Sequence, residues 1–198
     1  MVRTLLRAPR GAAEMTADAL RLLAVVGIVV AGIGWGPVEG ASLAVVAGGM
    51  LLPRVMDLRP SVDIAFGIVI LVAAWSSVLE IYITTRWWDI PVHFLTNGLC
   101  AAVLYVLLVR GRILADATTL PRPMLSAVVM TTAVGLSLGV LWEIWEWFGH
   151  TFIDGEIFVG YVDSIGDLVW GGFGALVAGC LMPHVRRPSA SVRVGPCA

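Results

Sequence analysis

Lysine is missing from this 198-residue chain: its 13 basic residues are all arginine, and charged residues of every kind make up only 14%. A water-soluble domain carries about 25%, so most of this surface does not face water, and an ordinary soluble enzyme is excluded. Hydrophobic residues reach 59% and mean hydropathy is +0.91, which makes membrane insertion the economical explanation. The arginines are scattered through short segments instead of forming one basic stripe, which argues against nucleic-acid binding. Cysteine is scarce as well. Cys100, Cys180 and Cys197 lie far apart with no CxxC pair, so the chain encodes neither a disulfide scaffold nor a cysteine zinc site. Internal repeats, long linkers, low-complexity tracts, nucleotide motifs and nucleophile motifs are absent too.

What the chain does have is apolar runs. A membrane-crossing helix needs about 20 mostly apolar residues, and runs bounded by Arg, Pro or Gly predict six crossings, at residues 20–36, 41–56, 62–84, 90–109, 124–149 and 161–182. The second is short, contains Gly48 and Gly49 and stops at Pro53-Arg54, so a tilted or re-entrant segment is its alternative. With six crossings, Arg3, Arg7, Arg10, Arg21, Arg54, Arg59, Arg110, Arg112, Arg122, Arg186, Arg187 and Arg193 share one side, and Arg86 stands alone on the other. The positive-inside rule then puts both termini in the cytoplasm. The first run follows a leader holding Glu14 and Asp18 and precedes no clear small-x-small site, so it reads as a retained helix and not a cleaved signal peptide. Trp35, Trp87, Trp88, Trp142, Trp145, Trp147 and Trp170 fall toward the non-cytoplasmic ends, with Trp75 nearer mid-membrane, as an interfacial aromatic belt would place them. The expected fold is an all-α polytopic bundle of about six transmembrane helices: an N-terminal segment 1–19, a helical domain 20–184 and a tail 185–198, with the first dozen residues and the tail from Pro188 flexible.

The acids and histidines carry the functional signal. Ser76, Glu80 and Thr84 share a face of the third run at i, i+4, i+8. Asp89 opens the fourth like an N-cap, Pro91 follows in the first turn, and His93 and Asn97 continue the face. Glu143, Glu146 and His150 form a stripe at the end of the fifth, and Asp163 and Asp167 start the sixth, followed by Gly171, Gly174 and Ala178, small residues that admit a close neighbour. Because the third and fifth runs end on the outer side where the fourth and sixth begin, these faces meet at one depth. At about 1.5 Å per residue, Asp89, His150 and Asp163 lie near the outer boundary, Glu80, His93, Glu146 and Asp167 roughly 6 Å deeper, and Glu143 a turn further in. A charged side chain inside a span costs about 2.5–3.5 kcal/mol even on lenient scales, so these groups need neutralising. Bound metal, shared protons, or hydrogen bonds from Trp, Ser and backbone are the options. Asp, Glu and His without Cys suit a divalent ion, whether Zn, Mn or Fe, or Mg or Ca where oxygens alone ligate. The spacing Glu143-x-x-Glu146-x-x-x-His150 departs from the Glu-x-x-His of di-metal bundles.

Plainer roles stand beside these. Asp89 and Asp163 fit helix caps, His150 a solvated helix end, His184 an interface residue, and Asp154 and Glu156 a solvated turn. The strongest ligand candidates are His93, Glu146, Asp167 and Glu143.

The blocks WWDIPVHFLTNG (87–98), LWEIWEWFGH (141–150) and DSIGDLVWGGFGA (163–175) resemble the YjdF-like family of bacterial integral membrane proteins, with its D-x-x-x-H block, Glu-rich helix end and later Asp-x-x-x-Asp helix start. The resemblance covers roughly residues 62–182 and implies a multi-span inner-membrane protein with no assigned activity. Two departures are Asn97-Gly98 after the histidine block and Gly171-Gly172 after Trp170. Three functions are therefore weighed. The first is a metal-dependent membrane enzyme acting on a lipid or envelope substrate, with His93, Glu146 and Asp167 as ligands and Glu143 as general base or second-metal ligand. The second is a proton or divalent-cation transporter, disfavoured because only Ser137, Thr131 and Thr132 continue inward from Glu143. The third is a structural subunit. Membrane lipids are the expected surroundings, and a protein partner or homo-oligomer stays open.

Overall fold

Proline sets where three of the long helices begin. Pro37, Pro60 and Pro123 each stand in the first turn of a helix, where the missing N–H is no loss and the fixed φ suits the helical start. The computed structural model describes residues 7–153, 155 and 159–186, and they form an all-helical bundle. The helices are α1 (Ala12–Gly34), α2 (Pro37–Gly49), the short α3 (Leu52–Val55), α4 (Pro60–Val78), the short α5 (Ile81–Thr84), α6 (Asp89–Arg110), α7 (Pro123–Phe152), α8 (Tyr161–Cys180) and the short α9 (Met182–Val185). Single 3-10 turns precede α6 and α7, and no strand occurs among the described residues beyond one isolated bridge between Leu58 and Arg186. The turn expected at Asp154 and Glu156 and the tail from Pro188 lie outside the described residues.

Five segments are long and apolar enough to cross a membrane: Ala12–Gly34, Pro37–Val55, Pro60–Val78, Arg86–Arg110 and Pro123–Phe152. They are apolar without being buried in protein. Only 17% of the most apolar window of Pro123–Phe152 is covered by the rest of the chain, so its Leu, Val, Ile and Trp side chains need a non-aqueous surrounding. The sixth expected crossing, α8, has 20 residues, but Asp163, Asp167 and five glycines hold its hydropathy below that of the other five.

Several boundaries differ from the sequence expectation. Helix α1 starts at Ala12, so Glu14 and Asp18 sit on the helix and not in a leader. The second segment starts earlier, at Pro37, and bends at Met50–Leu51. The third helix stops at Val78, because Glu80 adopts a left-handed backbone, φ 56° and ψ 28°. The chain then turns through α5, and the Trp88 indole N–H donates to Ser76 Oγ at 2.9 Å, fastening this connection back on α4. The i, i+4, i+8 face expected for Ser76, Glu80 and Thr84 therefore does not exist: Ser76 is buried, while Glu80 and Thr84 are exposed.

Two groups of helices result. In one, α1 packs on α2 and α4; in the other, α6, α7 and α8 pack against one another; contact of α4 with α6 joins them. At the arginine-rich end of the first group the acids are paired. Arg7 binds Glu14 at 2.9 Å, Arg54 binds Asp18 at 2.7 Å, and Arg21 joins Asp18, Asp63 and, at 3.0 Å, the Met50 carbonyl. Nearby, Arg186 pairs with Asp116, tying the end of α9 to the loop before α7.

Close backbone approach defines the second group. A Cβ on Gly174 would lie 1.9 Å from the Phe94 carbonyl oxygen, and one on Gly98 would lie 2.7 Å from the Gly174 carbonyl oxygen. Helices α6 and α8 therefore touch along their backbones, as small residues permit in membrane bundles. Gly174→Val is expected to prise them apart and lower the melting temperature in detergent, an overpacking penalty of about 1–3 kcal/mol. Gly166→Ala on the same helix, where nothing lies within 4 Å, is expected to leave it unchanged; equal melting curves for wild type and Gly174→Val would contradict this packing.

Candidate functional site

The first two turns of α6 carry Asp89 and His93 on one face. Asp89 is the first residue of the helix, after Trp88, and makes no capping hydrogen bond. Its Oδ1 lies 3.1 Å from His93 Nε2 instead. The capping role expected for Asp89 is thus replaced by a carboxylate–imidazole contact at i, i+4. Asp163 does not cap either, since Gly160 precedes α8 and no side-chain cap bond forms.

Helices α6 and α8 both run inward from the same end, and the Gly98–Gly174 approach holds them in register. Asp167, two turns before Gly174, consequently stands between α6 and α7. Its Oδ2 is 3.9 Å from His93 Nε2. On the other side, α7 presents Glu143 and Glu146, one turn apart. Ligand-type atoms of Asp89, His93 and Asp167 all lie within 4.8 Å of one another, and so do those of Glu143, Glu146 and Asp167. Asp167 belongs to both sets.

Burial grades the five residues. Asp167 retains 8% of its accessible surface, and the other four are half-buried. Among the described residues Asp167 accepts no hydrogen bond, and no arginine lies within ion-pair distance of any of the five. The contrast with the opposite end, where Glu14, Asp18, Asp63 and Asp116 each have an arginine, is complete.

The remaining candidates fall outside these sets. Asp163 is half-buried one turn nearer the start of α8, and His150 is exposed at the end of α7. Glu80 is exposed at the break after α4, so the depth expected for it does not apply. The Asn97 amide N–H donates to the Gly135 carbonyl at 3.0 Å, crossing from α6 to α7 just inward of the cluster. It braces the helices. Below it, the Ser137 hydroxyl donates to Ala133 within α7 and faces outward, and Thr131 is fully buried. No polar file continues inward from Glu143.

Tyr82 is a neighbour that sequence reasoning missed. Its hydroxyl donates to the Ala73 carbonyl at 3.1 Å. Burial, then the charges of Asp89, Glu146 and Asp167, push its phenol far above the ordinary value, so it stays protonated. Only the break at Glu80 turns Tyr82 toward the cluster, and no periodic pattern announces that break.

A carboxylate so buried without a hydrogen bond costs the protein free energy, which removal should return. In chelator-treated protein, Asp167→Asn takes one charge out of a cluster of four carboxylates and is expected to raise the melting temperature by relieving their repulsion. Thermal melts in detergent check this; a lower melting temperature for the variant would show that Asp167 holds the bundle together without any ligand.

Comparison with known proteins adds a family. A family described as predicted membrane proteins, DUF2238, matches residues 16–187. No curated protein and no solved structure matches the chain.

Proposed function

The chain belongs to the DUF2238 family of membrane proteins, and from that premise we propose that it is a multi-pass metal-binding protein whose site is built by α6, α7 and α8. The observation that carries this reading is the convergence on Asp167: four further ligand-type side chains surround a buried carboxylate that has neither arginine nor hydrogen bond among the described residues. A divalent cation supplies the missing positive charge. One imidazole and carboxylate oxygens suit Zn, Mn or Fe.

Membrane orientation follows from charge. We read α8 as a sixth crossing, which puts twelve arginines on one side with both termini and Arg86 on the other. By the positive-inside rule the arginine side is cytoplasmic, and the likeness to bacterial inner-membrane proteins fits this. The site then opens toward the outer face, within the belt formed by exposed Trp87, Trp142, Trp145, Trp147 and Trp170. A reporter active only outside the cytoplasm, fused after Arg186, should stay silent and one fused after Gly36 should be active; the reverse result overturns the orientation.

A metal bound here would act as a Lewis acid and lower the pKa of a coordinated water. Its ligands would come from two sets that share Asp167, Asp89 with His93 on one side and Glu143 with Glu146 on the other. The substrate class that fits a site open to the outer leaflet is a lipid or envelope component. The lack of a polar file inward of Glu143, and the Asn97 brace across that route, favour a closed site over a transport path. Protein purified without chelator is expected to carry stoichiometric metal, reduced in His93→Ala and in Glu146→Gln. Wild-type protein free of metal after purification and after incubation with Zn²⁺ or Mn²⁺ would overturn the reading; cation flux into proteoliposomes above that of empty vesicles would move it to transport.

A further inference from the structure

The two ligand sets approach Asp167 from different helices. Asp89 and His93 reach it from α6, at i, i+4 on one face; Glu143 and Glu146 reach it from α7, at i, i+3. Helix α8 packs on both α6 and α7, and Asp167 is the one member within 4.8 Å of both pairs. A carboxylate has two oxygens and can give one to each neighbour. The second, independent observation is Asp167 itself: nine-tenths buried, without a hydrogen bond among the described residues, and 3.9 Å from the nearest imidazole nitrogen. One cation on the α6 side would leave Glu143 and Glu146 one turn apart on α7 with no cation beside them.

We propose that the site holds two divalent cations bridged by the Asp167 carboxylate, the first on Asp89 and His93 and the second on Glu143 and Glu146. This rests on the metal-binding reading above and adds the nuclearity and the assignment of ligands. Protein two-metal sites hold their ions about 3.5–4 Å apart, a spacing that one bridging carboxylate spans. The first ion has the nitrogen ligand and the second has oxygen ligands alone, so the α7 position is the harder of the two and the better suited to Mn²⁺. Two ions also neutralise more of the four carboxylates and remove the need for any arginine at this end. Such a pair clamps a phosphoryl or carbonyl oxygen and the water that attacks it, which makes an ester or phosphoester of the outer leaflet the matching substrate chemistry.

Full-length protein in detergent, stripped with chelator and re-equilibrated with Zn²⁺ or separately with Mn²⁺, tests this by metal content per chain and by EPR of the Mn²⁺ form. The expected result is two ions per chain with either metal, and an exchange-coupled Mn²⁺ spectrum. Glu143→Gln combined with Glu146→Gln should retain one ion, with the spectrum of isolated Mn²⁺. Asp167→Asn should weaken both ions by more than the 10–100-fold typical of losing an outer-shell partner, and should abolish coupling. No more than one ion per chain in wild type with both metals, or two ions without coupling, overturns the bridged pair and leaves the metal-binding reading standing. No ion with either metal overturns both.

Discussion

A carboxylate removed from water needs a compensating charge or hydrogen bonds, and the architecture is organised around meeting that need differently at its two ends. At the arginine-rich end, Arg7, Arg21, Arg54 and Arg186 meet Glu14, Asp18, Asp63 and Asp116. At the tryptophan-rich end, Asp89 with His93 and Glu143 with Glu146 gather on either side of Asp167. The same chain thus uses two solutions to one electrostatic problem. An unpaired charge at the centre of a span costs several kcal/mol by any scale, and among the described residues no arginine pairs with the second group of acids.

The glycine contacts make the second arrangement attainable. Carboxylates on α6, α7 and α8 repel one another when no cation is bound, and the helices would relax apart if their packing were loose. Backbone contact at Gly98 and Gly174, with the Asn97 bond to Gly135, fixes the spacing from below. The Trp88 bond to Ser76 fixes the connection above. The site is held on rigid elements at both levels, which is how metal ligands are kept in place before the ion arrives. The first helical group contributes little to the site beyond Tyr82 and the α4 contact; its part is to anchor the chain by ion pairs between α1, α3 and α4.

Much of this was legible in the sequence, and for physical reasons. Apolar run length predicts helices that the lipid environment demands, so the long helices were readable to within a few residues, apart from the Ala12, Pro37 and Val78 boundaries. The shared depth of Asp89, His93, Glu143, Glu146 and Asp167 followed from alternating helix direction. What escaped was local. The left-handed turn at Glu80 has no sequence signature, since glutamate is an unusual residue for positive φ; missing it misplaced Glu80 and hid Tyr82. The pairing of Arg54 with Asp18, 36 residues apart, is a tertiary contact that no helical spacing encodes, so those arginines looked like orientation signals alone. The split of ligands into two sets sharing Asp167 also needed the packing of α8 on both α6 and α7.

The central claim is that the charge of the α6–α7–α8 cluster is balanced by metal and not by protein groups. Anomalous diffraction from crystals of the chain grown with Zn²⁺, collected at the zinc edge, tests it most directly. The account predicts density at about 2.0–2.2 Å from carboxylate oxygens of Asp167 and at about 2.0–2.1 Å from a His93 nitrogen. A map without a peak in this cluster, with the Asp167 oxygens hydrogen-bonded to protein donors instead, would contradict it.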